Sequence, residues 1–283
     1  MNLYAVSVVQ NEADIIRENV AWACRFFKRI WIWDLGSTDG TWETLLSLRS
    51  EQVIPARHEG LPFTSSLKGR VFAEARSEIE DGSWVFILDA DEFLVEDPRP
   101  LLQQAEAADK ELVGAWQVNF FPVASDLQAI ADSGESAWTT IPIAERLRHY
   151  RVEWFEWRFI RATADLVWDT SGPHSRWTYA GARKPNPSRH SAMIRHYRYR
   201  SPSQVAARHT TRRTSPAPGY GQFRYDASSR FEDFVMPEDK LHCWENSRAP
   251  LVVPAGEMLR ANIMLRIMRA QRKWRRLFGR AGQ

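Results

Sequence analysis

The chain has 283 residues, 44% apolar and 26% charged, with a net charge of +3. Those proportions exclude global disorder and describe a globular protein long enough to bury a substantial core. Cysteine occurs only at positions 24 and 243, so there is no disulfide framework and a reducing, cytoplasmic setting is expected.

No run of eighteen apolar residues occurs, and MNLYAVSVVQNEADII lacks the basic and apolar regions of a leader peptide. Neither a spanning helix nor a cleaved signal is therefore expected. The net charge is too small to argue for nucleic acid, and no nucleic-acid partner is expected.

Leu3 to Val9 reads as a buried strand, followed by Asn11-Glu12. From Ala13, apolar residues at Ile15, Ile16, Val20, Ala23 and Phe26/Phe27 keep helical spacing. Arg29 to Leu35 reads as a second strand, ended by Gly36-Ser37-Thr38-Asp39-Gly40, with a helix from Thr41 to Leu48. Gln52 to Pro55 is a third strand, Leu67 to Ile79 a helix, and Trp84 to Leu88 a fourth strand. Such alternation predicts a mostly parallel sheet with helices on its faces. Ligands on such sheets sit at the carboxyl ends of the strands. Three polar clusters fall there: Gln10-Asn11-Glu12, Asp34 to Asp39, and Asp89 to Glu92.

After Pro98, Leu112 to Asn119 reads as a strand and 120–140 as a loop. Residues 141–200 hold β-like stretches crowded with Trp, Tyr, Arg and His, and 201–250 are loop-rich and basic. A last helix is expected from about Gly256 to Phe278.

The cluster in VFILDADEFLV poses a chemical question, since Asp89, Asp91 and Glu92 repel one another and lose hydration near a core. A divalent cation among them answers it. In an extended segment the D-x-D spacing sends Asp89 and Asp91 to one side, and Glu92 to the other as a structural acid.

VSVVQNEADII, WDLGSTDGT, GRVFAEAR and FILDADEFL, in that order, resemble the motifs of family 2-type glycosyltransferases with the GT-A fold. DADEFL and RHYRYRSPSQ, similar to an HY-x-x-S element, resemble a bacterial branch of small soluble members. The resemblance implies a Rossmann-like α/β GT-A domain with a C-terminal helical elaboration. Residues 1–110 would form its nucleotide-sugar-binding half, 111–200 its acceptor-side half, and 201–283 a basic loop-rich and helical extension. It implies metal-dependent transfer of a sugar from a nucleotide-sugar donor (UDP-, GDP- or dTDP-linked) to a saccharide acceptor of cell-surface polysaccharide or lipopolysaccharide, with Mn²⁺ or Mg²⁺ as cofactor. Asn11 and Glu12 would border base and ribose, and Asp34 would accept from the base's ring N–H. Arg70 and Arg76 would face the diphosphate. Asp89 would lie near ribose or donor sugar and, with Asp91, at the metal. Leu35 stands where the family has a second acid, which leaves Asp34 alone to read the base.

His174 in WDTSGPHSRW and His196 in IRHYRY are candidates for a further metal ligand, His174 being favoured. For the base that takes the acceptor's proton, Asp126, Glu145 and Asp169 are open, with Asp169 favoured for its closeness to His174. Trp31, Trp33 and Trp84 belong to sheet strands and are expected in the core. Trp154, Trp157, Trp168 and Trp177 form a candidate acceptor patch, since indole faces suit sugar rings. In the last helix, Leu259, Ile263, Ile267, Ala270 and Trp274 keep helical spacing among Arg260, Arg266, Arg269, Arg272 and Lys273. Residues 257–283 could thus lie on an anionic membrane surface, which would make the protein peripheral, or pack as a terminal helix. A sugar nucleotidyltransferase would want a Gly-rich basic loop where QNEAD stands. A catalytically silent carbohydrate-binding or scaffold protein would not need the D-x-D.

Overall fold

The structure, a computed structural model, describes residues 1–171, 176–214 and 230–278. Four parallel strands form one side of the main sheet: β1 (Leu3–Val9), β2 (Arg29–Asp34), β3 (Val53–His58) and β4 (Ser83–Leu88). They are joined through α1 (Ile16–Ala23), α2 (Thr41–Ser47) and α3 (Leu67–Ala75). The other side holds β5 (Glu92–Leu94), β6 (Leu112–Phe121), β7 (His149–Ala162) and β10 (Pro187–His196), giving the order β3-β2-β1-β4-β7-β6-β10-β5. β7 runs antiparallel to both β4 and β6, so one long strand welds the two halves. β8 (Val167–Asp169) and β9 (Arg176–Thr178) form a separate hairpin.

Strand side chains alternate across the sheet, and here both faces are covered. Leu3, Ala5 and Val9 of β1 join Trp84, Phe86 and Leu88 of β4 in one core, capped by α1 and α4 (Arg99–Ala107). Tyr4, Val6 and Val8 join Val85 and Ile87 in a second core under α3. Double coverage is why these strands read as unbroken apolar runs. Trp31, Trp33 and Trp84 are buried, as expected.

The segment 120–140 is not a loop. It holds α5 (Ala124–Ser133) and α6 (Glu135–Thr140), with Ile130 and buried Trp138 turned toward the core. α7 (Ile143–Arg146) follows. The region after 200 opens with α8 (Pro202–Thr214), whose start is written in SPSQ. The Ser201 hydroxyl accepts from the Gln204 backbone at 3.3 Å, and the Gln204 side chain accepts from the Arg200 backbone at 3.1 Å. β11 (His242–Cys243) adds to the edge of β7, and α9 (Ala255–Phe278) closes the chain. No described helix is long and apolar enough to cross a membrane.

Candidate active site

A cavity of about 350 Å³ opens at the carboxyl ends of β1 and β4, walled by β7, the end of β10 and α8. The chain leaves β1 through Asn11 at φ 56°, a left-handed conformation that Asn tolerates better than most residues. The GSTDGT loop then stitches this exit in place. Asn11 N donates to Ser37 Oγ at 2.8 Å, and Asn11 Oδ1 accepts from Thr38 N at 2.9 Å. Glu12 N donates to Thr41 Oγ1 at 2.9 Å, and Ala13 N to Asp39 Oδ2 at 3.0 Å. Asn11 and Glu12 line the cavity, where sequence placed them.

Asp34 is completely buried and does not reach the cavity wall. Its Oδ1 accepts from Ser37 N at 2.7 Å and faces His58 Nδ1 at 2.8 Å, while its buried Oδ2 has no partner among the described residues. The segment after β3 lies against this loop. A Cβ on Gly36, itself at φ +77°, would stand 2.9 Å from Gly60 Cα.

The three acids do meet at the cavity, but not in the expected pairs. Glu92 N donates to Asp89 O at 3.1 Å, so the chain turns there and the alternation of an extended strand no longer holds. Asp89 and Glu92 therefore converge on one guanidinium. Arg158, projecting from β7, binds Asp89 Oδ2 at 2.9 Å and Glu92 Oε1 at 2.5 Å. The Lys68 ammonium, at the start of α3, holds the other Asp89 oxygen. Burial would raise the Asp89 carboxyl, but Lys68 and Arg158 outweigh it and keep it below its usual value. Burial pushes Glu92 well above its usual value against the pull of Arg158, aided by its acidic neighbours. Glu92, expected to point away from Asp89, instead points toward Asp89's partner. The sequence-based picture of mutually repelling acids is corrected: protein cations sit between them.

Asp91 has a different set of neighbours. Its Oδ2 lies 3.4 Å from His196 Nε2, 3.4 Å from Arg208 Nη1 and 3.9 Å from Arg200 Nη1. Burial opposes ionisation of Asp91, but His196, Arg208 and Arg200 hold it well below its usual range. Burial also lowers His196, opposed by the attraction of Asp91. Arg200 is fully buried and bonds Glu12 Oε2 at 2.5 Å and both oxygens of Asp14. Burial, opposed by Arg200, pushes the Glu12 carboxyl up to about 7.

Several expected residues stand elsewhere. Arg76 is held by Ile79 O at 2.9 Å and Asp81 at 3.1 Å at the far end of α3, where the helix tightens into a 3₁₀ turn. Arg70 is exposed beside the Trp33 ring, 5.6 Å from its centroid. Two residues along a helix is a rotation of about 200°, so Lys68 faces the cavity and Arg70 does not. Asp169 accepts from Ser171 Oγ at 2.6 Å within the β8–β9 hairpin and does not line the cavity. Asp126 caps α5 through Val123 N at 2.9 Å, and Glu145 is exposed on α7. His174 lies outside the described residues. Trp168 belongs to the second core with Trp157 and Trp177 packed against it, and Trp154 donates to Oε1 of the cavity-lining Glu156 at 3.0 Å.

Sequence reasoning missed Lys68, Arg158 and Arg208. Arg158 in FEWRFI was legible only as a charge inside an apolar strand, a position that normally requires a buried partner.

No curated protein sequence matches the chain. Among solved structures, TarS of S. aureus shares 13% identity over 74% of this chain and 38% of its own, with a TM-score of 0.40. TarS 1–349 gives 11%, 78%, 68% and 0.39. The mannosyltransferase PcManGT from Pyrobaculum calidifontis, in complex with GDP-Man and Mn²⁺, gives 14%, 76%, 61% and 0.37. The chain thus spans little more than a third of TarS. The sequence pattern of glycosyl transferase family 2 matches residues 4–184, the stretch that builds the parallel strands, the turn of acids and β7. That match covers more than half of the sequence, and the chain belongs to glycosyl transferase family 2.

Proposed function

We propose that this protein transfers a sugar from a nucleotide diphosphate donor to a saccharide acceptor, with a divalent cation held by Asp91 and His196. One observation carries the metal. Asn119 Nδ2 donates to Glu153 Oε2 at 2.9 Å, which leaves Asn119 Oδ1 to accept from His196 Nδ1 at 2.8 Å. A neutral His196 would carry its proton on Nδ1 and turn the Nε2 lone pair toward Asp91 Oδ2, 3.4 Å away. Two acceptors facing each other fit a cation. No third His, Cys, Asp or Glu converges there among the described residues, so oxygens of the donor's diphosphate would complete the shell. Mn²⁺ or Mg²⁺ bound there would neutralise charge on the departing diphosphate.

The chain's own residues supply the rest. Lys68 and Arg208 reach the cavity as cations for phosphate oxygens, taking the part expected of Arg70 and Arg76. Asn11 and Glu12 border the nucleoside, and Asp34 Oδ2, buried without a partner among the described residues, is the acceptor offered to a base's ring N–H. Leu259, Ile263, Met264 and Ile267 form an exposed apolar stripe on α9, while Met258, Ala261 and Leu265 face the core. That stripe, with Arg266 nearby, supports a peripheral, cytoplasm-side membrane location and an acceptor carried on a lipid or lipopolysaccharide core. A thermal-shift screen of UDP-, GDP- and dTDP-sugars with and without Mn²⁺ tests the reading. A donor at a hundred times its Kd should stabilise by about 2.7 kcal/mol, and only with the metal. No shift with any donor would remove the proposal.

A further inference from the structure

Resting on that reading of the cavity, we propose that Glu156 is the base that takes the proton of the acceptor's hydroxyl. Among the described residues five carboxylates line the cavity: Glu12, Asp89, Asp91, Glu92 and Glu156. Four are committed. Glu12 is bound by buried Arg200, Asp89 by Lys68 and Arg158, and Asp91 stands among His196, Arg200 and Arg208. Glu92 is 1% exposed and shared between Arg158 and Gln117. Glu156 differs, because its side chain is 43% exposed while lining the same cavity.

Its orientation is fixed without its capacity being used up. Oε1 accepts from Trp154 Nε1 at 3.0 Å, and Oε2 from Arg158 Nη2 at 2.9 Å. A carboxylate offers about four acceptor positions, which leaves about two for an incoming hydroxyl. Its location follows from Arg158, whose guanidinium also binds Asp89. The base thus stands one guanidinium's width from the first acid of the D-x-D, where the donor sugar is expected. Trp154 beside it offers a ring face to the acceptor.

The step balances simply. The acceptor O–H gives its proton to the Glu156 carboxylate, and its oxygen bonds to the donor's anomeric carbon. The bond from that carbon to the phosphate oxygen breaks, and its electron pair leaves with the diphosphate. Attack opposite the departing diphosphate would invert the anomeric centre.

The test is turnover of the full-length protein and of Glu156→Gln on UDP-glucose and GDP-mannose with Mn²⁺, water serving as acceptor, across pH 5 to 9. Circular dichroism and affinity for UDP and GDP with Mn²⁺ accompany each variant. Glu156→Gln should lower kcat by about 10²- to 10⁴-fold, lose the acid limb of the pH–rate profile, and keep nucleotide affinity. Glu156→Asp should recover part of the rate. Wild-type turnover with an active Glu156→Gln enzyme of unchanged pH profile would overturn the assignment and leave the transferase reading intact. So would equal losses of kcat and nucleotide affinity, which belong to a structural residue. A wild-type protein that neither binds nor turns over either donor overturns both.

Discussion

Arg200 and Asp14 form a bidentate ion pair, Nε to Oδ2 at 2.7 Å and Nη2 to Oδ1 at 2.8 Å, between points 186 residues apart in sequence. The guanidinium is fully buried and also binds Glu12, so it joins the segment after β10 to the loop after β1. Arg200→Ala strands two acids in the interior and should cost about 3–5 kcal/mol, read from urea unfolding. Arg200→Lys should recover little, because an ammonium cannot make the fork. An unchanged urea midpoint would contradict this role.

The Glu12 carboxyl gives a pH dependence with a definite sign. Burial raises it from 4.5 to about 7 against the pull of Arg200. The folded state therefore holds the proton more tightly than the unfolded state. Its contribution to stability is complete below about 4.5 and is lost as pH rises toward 7. Glu12→Gln cannot ionise, so between pH 5 and 8 its stability should gain on wild type by roughly 1–3 kcal/mol. Urea midpoints measured at intervals of one pH unit read this directly. A constant difference between the two proteins would show that Glu12 titrates normally.

α9 carries two faces that must be tested separately. Glu257 accepts from Val152 N at 2.7 Å and Ala261 is buried, so truncation at residue 255 removes part of the core. Changing Leu259, Ile263 and Ile267 together to Ser leaves that packed face alone. The triple variant should lose salt-sensitive co-sedimentation with anionic vesicles and keep donor turnover and its melting temperature. Equal sedimentation of both proteins would leave the stripe without a membrane role.

Two glycines mark where backbone and ring meet. A Cβ on Gly114 would stand 2.1 Å from the Phe155 ring, and one on Gly69 2.5 Å from the Trp168 indole. Gly114→Ala and Gly69→Ala should each destabilise by about 1–3 kcal/mol. Gly69→Ala should also disturb Lys68, its neighbour, and weaken nucleotide binding. Thermal melts at wild-type temperature for both variants would show that the rings move aside freely.

Legibility followed the range of each interaction. β1 and β4 were readable because alternating side chains fill two cores, and the acids at their ends followed from strand polarity alone. The partners of those acids were not readable. Arg158 lies 66 residues from Glu92 on a strand that inserts antiparallel beside β4, a pairing no local periodicity announces. The alternation expected of an extended segment failed at Glu92, because the chain turns between Asp89 and Glu92. α5 escaped notice because none of its ten residues is fully buried, so no apolar face marks its helical period. SPSQ, by contrast, carried a complete helix start that composition alone concealed. Asp169 was chosen for nearness in sequence and stands in the β8–β9 hairpin, whereas Glu156, the base proposed above, lies on β7.

The central claim is that Asp91 and His196 together hold a divalent cation that turnover requires. Its most direct measurement is nucleotide-sugar hydrolysis with Mn²⁺ and with EDTA, by wild type, Asp91→Asn and His196→Gln, alongside Mn²⁺ binding in the presence of the nucleoside diphosphate. Wild type should be active only with metal. Both variants should lose Mn²⁺ affinity, by about 10- to 100-fold or more for a lost ligand, and most of their turnover while staying folded. Full wild-type activity in EDTA, or Mn²⁺ affinity unchanged in both variants, would contradict the claim.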